Sequence, residues 1–292
     1  MPEPTQREVY FAEYEEFLRL RNAANNGIMA LGAGASLSAH FLQLASGSKN
    51  TLSDMFPAVN HIQNFNLKPD HALQELSRAE YLLASMAIPY HLGILESFCG
   101  GLERALKNQV SRSNPGKAIK TRGGDSITKK IEEYLINPIP HETGQVLNLL
   151  KGIRDDLMHK GGKAGNNYSE IYKTNIEPHI GHWKLKPGGN VTSLKVGDEI
   201  ILHMSDLLLT LAAVKLQARE INYALQESLP REFWVKMMVR DYLALDQQQH
   251  LNDEQHLRRC AGFARNKFSS LRLDKVEFEA ELLSKLKGKM GL

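Results

Sequence analysis

The sequence has few cysteines, no long apolar run and no metal-ligand pattern. Its 292 residues include only Cys99 and Cys260, which excludes a disulfide framework and a four-cysteine metal site. No apolar run approaches the roughly 18–20 residues that a membrane span needs, and residues 1–25 are too acidic and polar for a secretory signal. These absences predict two buried thiols in a cytoplasmic protein that does not contact a membrane.

The histidines are equally uninformative about metal. His141, His179 and His182 have no cysteine or acidic partners at the spacing of a zinc site. The sequence therefore predicts neither a metal ion nor another cofactor.

Apolar periodicity is mostly helical, and strand patterns are scarce. The predicted helices cover residues 3–24, 70–108 with a kink or split at Pro89, 126–135, 142–160, 200–225 as the longest helix, 232–245, 253–268 and 274–287, with Asp70, Asp253 and Asp274 as N-caps. A β-hairpin is predicted for residues 183–196, around the turn at 187–190. The predicted fold class is mainly α, a helical bundle with one small hairpin and extra helices at both ends.

The basic residues are concentrated in one segment. The net charge is only +3, but residues 104–130 hold eight Lys or Arg against a single acid, Asp125. Asn-Pro-Gly and Gly-Gly sequences within this segment predict a surface loop. Because a local positive excess attracts phosphate backbones, Lys117, Lys120 and Arg122 are predicted to bind RNA. The alternative is an ordinary solvated loop.

A stretch of small residues, LGAGASLSA, lies near the N-terminus. Gly32, Gly34 and Ser36 would form a phosphate-binding turn if a strand preceded them and a helix followed. The stretch has some likeness to the glycine-rich turn of sirtuin-like domains, but the later elements of such a dinucleotide-binding fold do not follow. Close helix packing or a simple turn is the favoured interpretation, and an NAD-consuming site is the last of three functional hypotheses.

The stretch from Gly144 to Gly162 combines an apolar stripe with polar groups near its end. Its helical stripe consists of Val146, Leu149, Leu150, Ile153 and Leu157. Asp155 and His159 are four residues apart and can meet on one face, whereas Arg154 and His159 lie about 140° apart around an ideal helix. Arg154 and His159 can address one phosphate only if the last turn unwinds, which Gly161 and Gly162 favour, or if a second subunit supplies part of the site.

These residue types match the chemistry of RNA cleavage without a metal. An acid or base must serve the 2′-hydroxyl and the leaving 5′-oxygen, and a cation must stabilise the charge that develops on the phosphate. His159 fits the first role, and Arg154 fits the second because a guanidinium binds phosphate with two hydrogen bonds. Asp155 would hold both side chains in place. The alternative is an ordinary Arg–Asp–His surface cluster near a helix end.

The stretch Arg154-Asp155-Asp156-Leu157-Met158-His159 resembles the motif of the HEPN superfamily, an Arg followed after four to six residues by a His. The likeness covers roughly residues 70–228. It implies an all-α bundle, a homodimer that joins two motifs in one cleft, and metal-independent endoribonuclease activity on tRNA or other RNA, as in toxins and antiphage-defence effectors. On this resemblance Arg154 and His159 are the catalytic pair, and Asp155 is the supporting polar residue.

The resemblance also divides the chain and leaves a second function open. It implies an N-terminal extension (1–66), a catalytic bundle (67–228) and a C-terminal extension (229–292), and it adds Lys160 and Lys163 to the predicted RNA contacts. A glycine follows the motif where toxins silenced by a nucleotidyltransferase carry tyrosine, which argues against that partner but not against another regulatory protein. Some members of the superfamily do not cut RNA, so the alternative is a non-catalytic nucleotide- or protein-binding regulatory module.

Overall fold

The structure, a computed structural model, describes residues 7–65, 67–113, 131–137, 139, 141–177, 193–245 and 251–290. In these residues the regular structure is helical, and extended chain pairs only in one antiparallel bridge, Lys163 with Glu199. The α-helices are α1 (Ala12–Gln43), α2 (Leu52–Met55), α3 (Pro69–Leu76), α4 (Ala79–Ser113), α5 (His141–His159), α6 (Asn166–Ile171), α7 (Met204–Ser228), α8 (Arg231–Leu243), α9 (Asp253–Lys267) and α10 (Lys275–Met290). Shorter helices of other types lie at Ile62–Asn64, Tyr172–Ile176 and Ser269–Leu271. The predicted mainly α fold is confirmed.

The described residues group into two compact units. The first contains those within 1–20, 94–141 and 215–292, and the second contains those within 21–93 and 142–214. Each unit therefore takes residues from separated parts of the chain. The predicted division into 1–66, 67–228 and 229–292 follows chain order and places its boundaries elsewhere.

The first unit has a core of aromatic side chains. Phe98 lies 5.2 Å from Phe17 and 5.9 Å from Tyr14 between ring centroids, and Trp234 lies 5.9 Å from Phe11. All five residues are at most 4% exposed. Helices α8, α9 and α10 pack against one another in the same unit. Burial of such large rings is the main source of stability that this unit shows.

The second unit has a polar contact in its core. His91 is fully buried, its Nδ1–H donates a 2.8 Å hydrogen bond to the carbonyl of Ala87, and its Nε2 lies 2.9 Å from Oδ1 of Asn25. Burial lowers the pKa of His91, and the positive charge of Arg21 lowers it further, whereas the hydrogen bond to Ala87 opposes the change. The net effect of the surroundings is to disfavour the charged imidazolium.

Helix α4 also satisfies the length and composition of a membrane span. Its segment Ala79–Lys107 contains an apolar window of sufficient hydropathy, and half of that window is buried inside the protein. The core helix of a globular protein shows the same combination.

Two predicted N-caps are wrong by one or two positions. Helix α3 begins with Pro69 after the N-cap Lys68, because proline at the first helical position has a suitable φ and needs no hydrogen bond for its nitrogen. Asp70 therefore lies inside the first turn. At α9 the N-cap is Asn252, one residue before Asp253, and its side chain accepts a hydrogen bond from the backbone of Gln255.

The long helix is not split at Pro89, and the predicted longest helix is wrong. The chain leaves the helical path at residues 77–78, between α3 and α4, whereas Pro89 lies inside α4. Fully buried Ile88 and Leu92 flank this proline, and their packing offsets the roughly 3 kcal/mol that an internal proline costs. Helix α7 begins at Met204 instead of residue 200, and it is shorter than α4.

The conditional phosphate-binding turn is not formed. Gly32, Gly34 and Ser36 lie inside α1, which is helical from residue 12 to residue 43. No strand precedes Gly32 in residues 7–31, so the geometry that the last-ranked sirtuin-like hypothesis needs is not present there.

Several predictions fall mainly outside the described residues. Residues 183–192 of the predicted hairpin lie outside them, and residues 193–196 form no strand. Residues 126–130 of the predicted short helix and 114–125 of the predicted basic loop also lie outside them, together with Lys117, Lys120 and Arg122.

Candidate functional site

Helix α5 carries the candidate site and is held by its apolar stripe. It spans His141–His159, within one residue of the predicted bounds. Val146, Leu149, Leu150 and Ile153 are at most 5% exposed, as the periodicity predicted. One face of the helix is thus fixed in the second unit, and the polar residues near its C-terminal end lie around the other faces.

The end of α5 is closed by two glycines in left-handed backbone conformations. Gly161 has φ 62° and Gly162 has φ 81°, values that side chains other than glycine rarely adopt. The carbonyl of Asp156 accepts a 3.0 Å hydrogen bond from the N–H of Lys160 and a 3.3 Å hydrogen bond from the N–H of Gly162, so the chain turns back over the helix end at the two glycines, which commonly end helices. His159 is therefore the last residue of a regularly terminated helix.

Asp156 is a structural residue that the sequence reasoning missed. It is 2% exposed, its Oδ2 accepts a 2.7 Å hydrogen bond from the N–H of Gly165, and its Oδ1 lies 2.7 Å from the Lys160 ammonium. These bonds join the helix end to the segment that follows it. The signal was present in the sequence, because Asp156 continues the spacing of the buried Leu149 and Ile153.

The structure brings Arg154 and Asp155 together. The Arg154 Nε–H donates a 3.0 Å hydrogen bond to Asp155 Oδ1, and the two side chains are 28% and 54% exposed. The guanidinium is oriented by a neighbouring carboxylate and still reaches solvent. This geometry is compatible with the predicted supporting role of Asp155.

The structure does not bring His159 to either residue. His159 is exposed, and its side chain makes no hydrogen bond or ion pair with any described residue. Because α5 is regular up to this position, Arg154 and His159 lie about 140° apart around the helix axis. The predicted contact between Asp155 and His159 is not formed, and the two predicted catalytic side chains do not share a face within one chain.

The two described cations of the predicted RNA surface have different surroundings. Lys160 is ion-paired with buried Asp156 and is 47% exposed. Lys163 is exposed, and its backbone forms the bridge to Glu199. Of the pair, Lys163 has the ammonium that is more available to a polyanion.

Two titratable groups with perturbed pKa values lie in the same unit. Burial raises the pKa of Tyr168, and the negative charge of Asp206 raises it further. Burial also raises the pKa of Asp206. Tyr168 lies next to α5, since its Cα is 4.0 Å from the position that a Cβ on Gly152 would occupy. The tyrosine is thus a neutral packing residue behind the candidate site.

Another hydroxyl lies at the helix end itself. The Tyr81 hydroxyl would be 3.3 Å from a Cβ on Gly162, so it packs directly against the closing turn. Within the described ranges, no three His, Cys, Asp or Glu side chains are grouped closely enough to hold a metal ion.

Comparisons with protein families, with curated proteins and with solved structures give no match to this chain.

Proposed function

We propose that the protein is a metal-independent endoribonuclease of the HEPN type, in which a homodimer forms one active site from two copies of residues 154–159. The observation that supports this best is the exposure of His159 at a helix end that Asp156 holds in place. An imidazole in an ordinary surface cluster would be paired with the neighbouring carboxylate, but Asp155 is bonded to Arg154 instead. An exposed imidazole with no hydrogen-bond or ion-pair partner among the described residues is available to act as a general acid or base.

The proposed reaction is the attack of a ribose 2′-hydroxyl on the adjacent phosphorus. A base removes the 2′-proton, the new P–O bond forms, and the bond to the 5′-oxygen breaks as an acid protonates that oxygen. The products are a 2′,3′-cyclic phosphate and a free 5′-hydroxyl. His159 transfers the proton, and Arg154 stabilises the negative charge of the five-coordinate phosphate.

The angular separation within α5 is the reason for proposing a dimer. One chain cannot direct Arg154 and His159 at the same phosphate, because they face directions about 140° apart. A two-fold axis near the helix ends would place Arg154 of one protomer opposite His159 of the other. We propose cellular RNA such as tRNA as the substrate, and a role as a toxin or an antiphage-defence effector, in the cytoplasm.

Cleavage of RNA in EDTA tests the chemistry. Purified protein incubated with total tRNA should release fragments with cyclic-phosphate ends. His159→Ala and Arg154→Ala should each lower the rate by about 10²–10⁴-fold. His71→Ala is the matched control, because His71 is exposed on α3 with only a 3.9 Å contact to Glu75. Failure of the wild type to cut any class of RNA, or full activity of His159→Ala, would refute the proposal.

Mixing the two inactive variants tests the shared site. In a dimer of Arg154→Ala with His159→Ala, one of the two composite sites keeps both catalytic residues. Random exchange of subunits should therefore restore about a quarter of the wild-type activity. A site contained within one chain would give no recovery at all.

The bonding of Arg154 to Asp155 and of Lys160 to Asp156 favours a second candidate function. A non-catalytic nucleotide- or protein-binding module needs oriented cations but no proton-transfer group. It predicts that His159→Ala behaves like the wild type. Expression in a bacterial host separates the two candidates, because an active ribonuclease slows growth and Arg154→Ala relieves this effect.

A further inference from the structure

The second half of α1 is exposed but carries no charge. Residues 22–48 contain no Asp, Glu, Lys or Arg, although charged residues make up 24% of the chain. A helix that faces water normally has charged side chains on its exposed face. Depletion of charge together with exposed apolar side chains is typical of the central part of a protein interface.

Six exposed small or apolar residues of this segment follow one line along the helix and one residue past its end. At spacings of three and four residues they are Gly27, Ala30, Gly34, Leu37, Phe41 and Leu44, which we call the α1 seam. Met29 and Leu31 are also exposed but lie off this line. All six are exposed, and the three large side chains are 71%, 62% and 78% exposed. Small residues occupy the first half of the seam and large residues the second half.

The fold of the single chain gives no reason for the two glycines of the seam. A Cβ at Gly27 or at Gly34 would meet no atom within 4 Å, and neither residue has a positive φ. Glycine costs about 1 kcal/mol relative to alanine in a helix interior. Their small size matters only to something that approaches this face from outside.

We propose that the α1 seam binds the α1 seam of a second copy of this chain in an antiparallel pair. A two-fold axis between residues 35 and 36 places Leu37 opposite Gly34, Phe41 opposite Ala30 and Leu44 opposite Gly27. Each contact occurs twice because the pair is symmetric. Every large side chain then meets a small residue, which permits close approach of the two helices.

The size of the seam is adequate for a specific contact. From Gly27 to Leu44 it spans about 26 Å at 1.5 Å per residue. Six large side chains in the pair would bury roughly 600–900 Å². The small-residue surface that they cover adds a similar amount, so the total reaches the range of about 1,200–2,000 Å² found for specific interfaces.

This contact does not depend on the proposed nuclease activity. The α1 seam lies outside residues 154–159 and outside the part of the chain that resembles the HEPN superfamily. The His159→Ala variant should therefore pair through α1 as the wild type does, whether or not RNA is cut.

Sedimentation analysis over a range of concentrations tests the contact. The wild type should self-associate, and Gly34→Leu should raise at least tenfold the dissociation constant of the step that joins two α1 seams, whereas the proposed pairing through residues 154–159 should remain. Ser36→Leu is the matched control, because it adds the same side chain at an exposed position of α1 that points away from the seam. Circular dichroism should show intact helix in both variants, since a Cβ at Gly34 has open space.

Two outcomes overturn the proposal. One is a wild type that stays monomeric, which would leave the seam to another occupant. The other is Gly34→Leu with an unchanged dissociation constant, which would place any dimer contact on another face.

Cross-linking locates the axis independently of affinity. Cys99 and Cys260 are buried, so an introduced surface cysteine is the one that a short bis-maleimide reaches. Leu37 lies on the seam near the proposed axis, so Leu37→Cys should give a covalent dimer. Ser36 lies at the same level of the helix but points away from the partner, so Ser36→Cys should not. Equal cross-linking of the two variants would contradict the antiparallel register.

Discussion

The two units of this protein use their apolar residues in different ways. The first buries its aromatic rings against one another, and its exposed large apolar residues are few: Tyr10, Ile136, Leu245 and Val276. The second also has a buried core, but it holds most of the exposed large apolar residues that the structure describes, including the large side chains of the α1 seam. Side chains that contribute little to folding remain available for binding, so the second unit is where we expect interactions.

The charged groups show the same contrast. In the first unit, Arg240 donates two 2.8 Å hydrogen bonds to Glu13 and another to Asp241, and Arg231 binds Glu277 through two nitrogens. In the second unit, the exposed His159 has no described partner. These two arginines of the first unit are thus paired with its own carboxylates, whereas the exposed imidazole of the second unit has no such partner among the described residues.

Truncation of two phenylalanines tests this contrast with the largest expected effect. Phe98→Ala removes a ring that is 4% exposed and should lower the free energy of unfolding by about 3–5 kcal/mol. Phe41→Ala removes a ring that is 62% exposed and should cost the monomer less than about 1 kcal/mol. Urea unfolding measures both. Equal losses would show that the second unit also depends on its exposed rings.

The adjacent residues Asp155 and Asp156 separate activity from stability within one helix. Asp156→Ala leaves the buried N–H of Gly165 without its acceptor and should lower the free energy of unfolding by about 1–3 kcal/mol. Asp155→Ala changes an exposed side chain, with an expected loss below about 0.5 kcal/mol. We expect Asp155→Ala to lower RNA cleavage while thermal unfolding is unchanged. The reverse pattern would exchange the roles assigned to the two carboxylates.

The sequence predicts the part of the candidate site that periodicity controls. The bounds and the buried stripe of α5 follow from apolar residues at helical spacing, and the Gly pair marks its end. The role of Asp156 depends on a contact with Gly165, which comes nine residues later. Local sequence patterns do not reveal which residue Asp156 contacts. Its position at the spacing of the buried stripe does indicate that its carboxylate is buried and must have hydrogen-bond partners.

The predictions that were wrong outside α5 have related physical causes. Pro89 breaks isolated helices, but tertiary packing around Ile88 and Leu92 keeps α4 continuous. Pro69 is compatible with the first helical turn, which moves the start of α3 ahead of Asp70. Glycines in α1 favoured either close helix packing or a turn, and the structure places them in a helix. Glycine lowers local helix propensity, but the sequence does not show whether the surroundings compensate.

The smallest effect that we predict is a difference between the two units in acid. Because burial lowers the pKa of His91 from its ordinary 6.5, the unfolded chain binds more protons than the folded chain below pH 6.5. The stability of the second unit should therefore fall as the pH drops through this range. His91→Gln removes the titration and keeps hydrogen-bonding groups, so its free energy of unfolding should depend less on pH between 7 and 5.

Glu277 provides the corresponding probe in the first unit. The hydrogen bond from Arg231 lowers its pKa from 4.5 to about 2, so its contribution is complete above pH 4.5 and is lost as the pH falls towards 2. Glu277→Gln should match the wild-type slope between pH 7 and 5 and diverge only below pH 4.5. Urea titrations at pH 7, 5, 4 and 3 distinguish the two windows. If His91→Gln leaves the upper slope unchanged, another group controls the response of the second unit to mild acid.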